Sequence, residues 1–158
     1  MQAEKNLDLE LLDEIADSDI PAEATFEYSG TPKQKPEPLT AGSRKIYRRN
    51  KQIALRALAK AGHNCEASDI PHPSFLRKRK AVLYMEPHHL IPLEYQDDFE
   101  FSLDIEENIV SLCSNCHNRF HYGWGFDKLL ERLYNGRIEH LRCAGIEISL
   151  EELLEIYS

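Results

Sequence analysis

The chain lacks the features that mark membrane, secreted or repetitive proteins. No apolar run approaches the roughly 20 residues of a membrane-spanning helix, so we expect no membrane partner. The segment from Met1 to Leu12 is acidic, whereas a signal peptide is basic and then apolar. No internal repeat is evident. With 158 residues, the chain has the length of about one domain.

Cysteine is also scarce. Of the four cysteines, Cys113 and Cys116 form a Cys-x-x-Cys pair. In a chain without a secretion signal, such residues are metal ligands more often than disulfides. We therefore expect a reducing, cytoplasmic setting.

Acidic residues outnumber basic ones, and the net charge is -8, but the charge is unevenly distributed along the chain. Residues 41–80 carry eleven basic and two acidic residues, whereas residues 1–40 carry three basic and ten acidic ones. A basic block between acidic flanks predicts a phosphate-binding surface. Four consecutive residues just before the histidine motif are the preferred nucleic-acid contacts: Arg77, Lys78, Arg79 and Lys80.

The chain divides into an N-terminal segment and one domain. Residues 1–40 combine many acids, a weak amphipathic pattern and several prolines, which predicts a disordered segment. Its acids could also cover the basic block. Residues 41–158 are expected to form the domain, beginning with a helix that Ser43 caps and that runs to about Lys60.

Two helices are expected at the C-terminal end. A long amphipathic pattern after Gly125 predicts a helix that ends at Gly145. Ser149 and Glu152 have the spacing of a capping box for the last helix.

Histidines and cysteines are concentrated between residues 88 and 121. His117 and His121 are four residues apart, so on a helix they share one face and can hold one ion. Cys113 and Cys116 can hold a structural zinc beside that helix. The pair His88-His89 follows an apolar run typical of a strand, and strand neighbours point to opposite faces.

This order of motifs resembles the HNH nuclease family, the ββα-metal fold. The histidine pair, Asn108 and the helical histidines match its three motif elements, and the Cys-x-x-Cys pair matches its zinc-bearing subgroup. The resemblance covers about residues 43–158. It implies an α+β fold: a small ββα-metal core with a structural zinc knuckle, flanked by an N-terminal helix and two C-terminal helices.

The zinc site needs four ligands, and Cys65, Cys113 and Cys116 supply three. The family usually has a second Cys-x-x-Cys pair, but Ser68 stands where its second cysteine would be. His72 is the preferred fourth ligand, since its loop could fold back. Asp69 and His63 remain as alternatives.

The resemblance also implies the catalytic roles. His89 would be the general base, while His88, His117 and His121 would hold one divalent ion. Asn108 would brace the loop between strand and helix. An all-histidine site favours zinc, nickel, cobalt or manganese over magnesium. Four nearby acids are interpreted as solvated rather than metal-binding: Glu86, Asp97, Asp98 and Asp104.

The predicted function is that of a metal-dependent endonuclease acting on double-stranded DNA, in restriction, anti-phage defence or a mobile element. A protein partner could supply specificity, because the family's helix reads few base edges. The alternative is a zinc-stabilised nucleic-acid-binding or adaptor module without catalysis.

Overall fold

A computed structural model describes residues 2–16, 18, 27–78 and 81–158. In this part of the chain there are five α-helices: α1 (Gln2–Ala16), α2 (Lys51–Lys60), α3 (Ser114–Tyr122), α4 (Asp127–Cys143) and α5 (Leu150–Tyr157). Two antiparallel hairpins pair β1 (Leu39–Ala41) with β2 (Arg44–Ile46), and β3 (Glu86–His89) with β4 (Ile109–Leu112). The architecture is mixed helix and small sheet, as predicted.

The second hairpin and the helix after it form a ββα unit. His88 lies opposite Val110 and His89 opposite Ile109, and every residue of both strands is buried. Helix α3 begins directly after β4 because Cys113 caps it: its Sγ accepts a hydrogen bond from the Cys116 backbone N–H at 3.4 Å. The unit therefore places the end of β3 beside α3.

The core is formed where α2 packs on this unit, and α4 adds buried side chains to the same core. Apolar side chains of α2, including Ala54, Leu55 and Leu58, are almost fully buried and α2 packs on both strands of the hairpin. Leu130 and Leu141 of α4 are fully buried as well. Burying such side chains stabilises the fold by about 1.5–3 kcal/mol each.

The first helix of the domain starts later than the sequence predicts. Ser43 lies in the turn of the β1–β2 hairpin, next to Gly42, whose φ of 67° suits a tight turn. The cap of α2 is Asn50, whose side chain accepts from the backbone N–H of Gln52. The prediction of a helix from Ser43 is therefore wrong, because β2 buries Ile46 in a hairpin instead.

The N-terminal segment is also more ordered than predicted. Residues 2–16 form α1, which packs on α2 and buries Leu11 and Ile15 in the core. The guanidinium of Arg77 donates to the carbonyl oxygens of Ile15 and Ser18. Residues 19–26 of the predicted segment lie outside the described residues. Residues 2–16 are thus helical and packed on the domain, in the segment for which the sequence predicts disorder.

The C-terminal helices follow the prediction closely. Helix α4 ends just before Gly145, whose φ is 79°. Ser149 and Glu152 form the predicted capping box at the start of α5, with both reciprocal hydrogen bonds. Among the described residues, no helix has the length and apolar character needed to cross a membrane.

Candidate functional site

A cavity of about 300 Å³ opens where α1, β3, α3 and α5 meet, and it is referred to below as the cleft. Its lining includes five residues of α1, the general-base candidate His89, and the three histidines expected to bind metal. A larger cavity of about 690 Å³ shares Arg49 with the cleft, but no histidine or cysteine lines it among the described residues. The catalytic chemistry expected from the sequence therefore belongs to the cleft.

The histidine cluster consists of His88, His117 and His121. One nitrogen of each ring lies within 4.8 Å of the others, and the Nε2 atoms of His117 and His121 are 3.4 Å apart. Two nitrogens about 2.0–2.1 Å from a tetrahedral ion would lie about 3.4 Å apart. The three residues therefore fit a single divalent ion. Helical spacing brings two of them together, and the β3–α3 contact supplies the third.

A buried carboxylate orients one member of this cluster. Nδ1 of His117 lies 2.7 Å from Oε1 of Glu86, which leaves Nε2 of His117 for the ion. Glu86 also accepts hydrogen bonds from Tyr84 and Ser114. Burial opposes ionisation of Glu86, but these hydrogen bonds outweigh it and lower its pKa. An ionised carboxylate behind a histidine ligand fixes its tautomer and raises its basicity.

The last helix orients a second member. The hydroxyl of Tyr157 donates to the carbonyl of Leu90 at 2.7 Å, and Nε2 of His88 lies 2.7 Å from the same hydroxyl. His88 also stacks on Phe120, with ring centroids 4.8 Å apart. Burial and then the neighbouring imidazoles of His117 and His121 depress the pKa of His88, so its imidazole is neutral, the form that can bind a metal ion.

His89 makes different contacts from His88, as alternation along a strand requires. Its Nε2 lies 2.8 Å from Oδ1 of Asp104, and both side chains are buried. The other carboxylate oxygen of Asp104 accepts from the backbone N–H of Asn50 at 2.8 Å. Asp104 thus connects His89 to the N-terminal end of α2. Its hydrogen bond engages Nε2 of His89 and not Nδ1.

Asn108 is fully buried and joins the two ends of the segment between β3 and β4. Its Oδ1 accepts from the backbone N–H of Ile91 at 2.9 Å. Its Nδ2 donates to the carbonyls of Ile91 and Leu103, at 3.0 and 2.9 Å. The side chain therefore satisfies both backbone groups of Ile91, just after His89, and the carbonyl of Leu103.

The cysteine cluster consists of Cys65, His72, Cys113 and Cys116, whose ligand atoms all lie within 4.8 Å of one another. Nδ1 of His72 is 3.4 Å from Sγ of Cys116 and 3.7 Å from Sγ of Cys113. A nitrogen and a sulfur on one tetrahedral zinc would be about 3.5 Å apart. Burial is the main cause that raises the pKa of Cys116 to about 12, so a cation is needed to hold thiolates there. The four residues fit a zinc ion.

The predicted nucleic-acid contacts divide into three cases. Arg77 is buried and its guanidinium binds carbonyl oxygens at the end of α1. Lys78 is exposed. Arg79 and Lys80 lie outside the described residues. Arg77 therefore makes a contact within the protein.

Three residues around the histidines were missed by the sequence reasoning. Glu86 and Asp104 were interpreted as solvated acids, but both are buried and each pairs with a histidine. Tyr157 had no assigned role. Glu86 directly precedes the Pro-His-His stretch, and that position was the one available signal.

Comparison with known proteins agrees with this geometry. Residues 76–123 match the family model of the HNH endonuclease. No curated protein matches the chain. One solved structure, a Type IV phosphorothioation-dependent restriction endonuclease (ScoMcrA), aligns with 89% of this chain at 19% identity and a TM-score of 0.48. The chain spans 23% of that protein's length. The matched residues 76–123 contain the ββα unit and the histidine cluster, so this part of the chain is similar to an HNH endonuclease domain.

Proposed function

We propose that the chain is a metal-dependent endonuclease that hydrolyses phosphodiester bonds in double-stranded DNA. The observation that carries the proposal is the convergence, on one cleft, of three histidines that fit one ion and a fourth, His89, that is paired with a carboxylate. The family match supports a nuclease role in general. The specific substrate and mechanism are our proposal.

His89 acts as the general base in this mechanism. Nε2–H of His89 donates a hydrogen bond to the Asp104 carboxylate, so the lone pair of the ring is on Nδ1 and can take a proton from water. Asp104 also stabilises the imidazolium that forms, in the way a carboxylate supports a catalytic histidine elsewhere. Asn108 keeps the backbone after His89 in place through its three hydrogen bonds.

The histidine cluster would hold the catalytic ion. When bound, a divalent ion stabilises the charge that develops on the phosphate and on the leaving 3′ oxygen. His117, backed by Glu86, and His88, held by Tyr157, are oriented before the ion arrives. Neutral imidazole ligands favour zinc, nickel, cobalt or manganese, with magnesium the least suited of the candidates.

A structural zinc ion in the cysteine cluster would fix α3 beside the hairpin. Cysteines that form no disulfide suit a reducing cytoplasm. A place in restriction, anti-phage defence or a mobile element follows from the family resemblance. Lys78 is the contact with DNA that we retain from the predicted basic run, and a protein partner would supply sequence specificity.

Plasmid cleavage with a panel of divalent ions tests the proposal. His89→Ala should lower the cleavage rate by about 10²–10⁴-fold, with metal binding unchanged. His88→Ala should instead weaken metal binding, and excess ion should partly restore its activity. His140→Ala, which changes an exposed histidine outside the cleft, is the matched control.

Three results would contradict parts of this proposal. Full cleavage by His89→Ala would remove the proposed base. Rescue of His89→Ala by metal, with no rescue of His88→Ala, would exchange the two roles. Tight DNA binding by wild-type protein without cleavage under any ion would favour the alternative of a zinc-stabilised binding module.

A further inference from the structure

One arginine in the cleft, Arg49, has two of its three guanidinium nitrogens paired with acids of α1. Nη2 of Arg49 lies 2.7 Å from Glu4, and Nε lies 2.9 Å from Asp8. Nη1 donates to the carbonyl of Tyr47 at 2.7 Å. Only 4% of the Arg49 side chain is exposed, so the pair with Glu4 excludes water almost entirely.

Arg49 lines the same cleft as the histidine cluster. Among the described residues that line it, the only other lysine or arginine is Lys5, which belongs to α1 itself. The backbone of the next residue, Asn50, is bonded to Asp104 and through it to His89. Among the described residues that line the cleft, Arg49 is therefore the basic residue outside α1. Its neighbour Asn50 links it through Asp104 to the proposed base.

Carboxylates and phosphates both present a pair of oxygens to a guanidinium, which can bind each of them in a bidentate geometry. A DNA phosphate that enters the cleft would meet the carboxylates of Glu4 and Asp8 already on Arg49. Glu4 is buried and Asp8 is half exposed, so α1 places one acid inside the cleft and one at its edge.

We propose that Arg49 binds a DNA phosphate beside the scissile one, and that Glu4 and Asp8 of α1 hold this site in the free protein. This inference rests on the proposed nuclease function. A DNA phosphate must displace the carboxylates of Glu4 and Asp8 before it can bind Arg49. Helix α1 thus competes with DNA for Arg49, and removing its two acids releases the arginine for substrate.

Deletion of α1 is a poor test, because Leu11 and Ile15 belong to the core and their loss would destabilise the domain. The better test neutralises charge and keeps shape, in the full chain with Glu4→Gln and Asp8→Asn. The matched control is Asp98→Asn with Glu100→Gln, which removes the same charge from exposed acids outside the cleft.

Binding of a fluorescein-labelled DNA duplex is measured by anisotropy over a range of salt concentrations. All variants carry His89→Ala so that cleavage does not interfere. Glu4→Gln with Asp8→Asn should tighten binding about tenfold relative to the control pair, a coupling typical of competing sites. It should also steepen the plot of log affinity against log salt by about 0.9, the value of one added phosphate contact.

Arg49→Gln is the decisive variant in this binding experiment. It should weaken binding, and adding Glu4→Gln with Asp8→Asn to it should bring no gain. The proposal is overturned if the gain persists without Arg49, or if the control pair tightens binding equally. Asp8→Asn alone, at a half-exposed side chain, repeats the test should the double variant unfold in circular dichroism. Cleavage by wild-type protein is scored separately, so failure of the nuclease function is distinguishable from failure of this inference.

Discussion

Asn108→Ala should destabilise the domain strongly, because one buried side chain pairs three backbone groups. The change leaves the N–H of Ile91 and the carbonyls of Ile91 and Leu103 without their partners. Each lost hydrogen bond is worth about 0.5–1.5 kcal/mol, and each unpaired buried group costs about 1–3 kcal/mol unless water reaches it. Partial hydration of the vacated space brings the expected loss to about 3–5 kcal/mol.

Urea unfolding in the presence of zinc measures this loss. With a slope of about 2 kcal/mol per molar urea, the midpoint should fall by about 1.5–2.5 M. Asn118→Ala is the matched control, since Asn118 is exposed and its side chain bonds only within α3. Its expected change is within about 0.5 kcal/mol. Equal midpoints for the two variants would refute the bracing role.

Asn108→Asp extends the test to pH. The new carboxylate keeps the acceptor for Ile91 but presents oxygen to two carbonyls, which raises the carboxyl pKa in the folded protein. The folded state then prefers the protonated form, so stability is highest at low pH and is lost as the pH rises through the folded pKa. Stability that rises with pH, relative to Asn108→Ala, would show that the carbonyls do not face this group.

The remaining predictions concern the two clusters. Cys113→Ser should release the zinc and lower the unfolding midpoint, whereas Cys143→Ser, at an exposed cysteine outside the cluster, should do neither when zinc content and urea unfolding are measured. Glu86→Gln should weaken binding of the catalytic ion by about 10–100-fold, measured by calorimetry, and an unchanged affinity would contradict the orienting role. Tyr157→Phe should weaken the same ion binding through His88, whereas Tyr122→Phe, 80% exposed, should leave it unaltered.

The two clusters that could hold a metal ion were predictable because their signals are local. Helical spacing puts His117 and His121 on one face, and the Cys-x-x-Cys spacing suits one ion. The geometry of the cysteine cluster includes His72, the preferred fourth ligand. These patterns need only the period of a helix and the size of an ion, both of which can be applied to a sequence directly.

The supporting residues were not predictable in this way. Asp104 is 15 residues from His89, and Tyr157 is 69 from His88, so their contacts depend on how the segments fold back. An acid in a polar stretch has the same sequence signature whether it is solvated or buried beside a histidine. The burial of Leu11 and Ile15 depends on the surface of α2, which the weak amphipathic pattern of α1 does not specify.

Helix α3 and its capping residue carry members of both clusters within nine residues, from Cys113 to His121. At nine residues it is shorter than the roughly 12–15 that an isolated helix needs to be stable in water. An ion bound to either cluster offsets part of the conformational entropy that is lost when this helix orders. The second ion then binds to a helix that is already ordered. Thermodynamic reciprocity makes the help mutual and equal in size. The two ions should therefore bind cooperatively, and loss of the structural zinc should weaken ion binding at the histidine cluster without changing any of its own ligands.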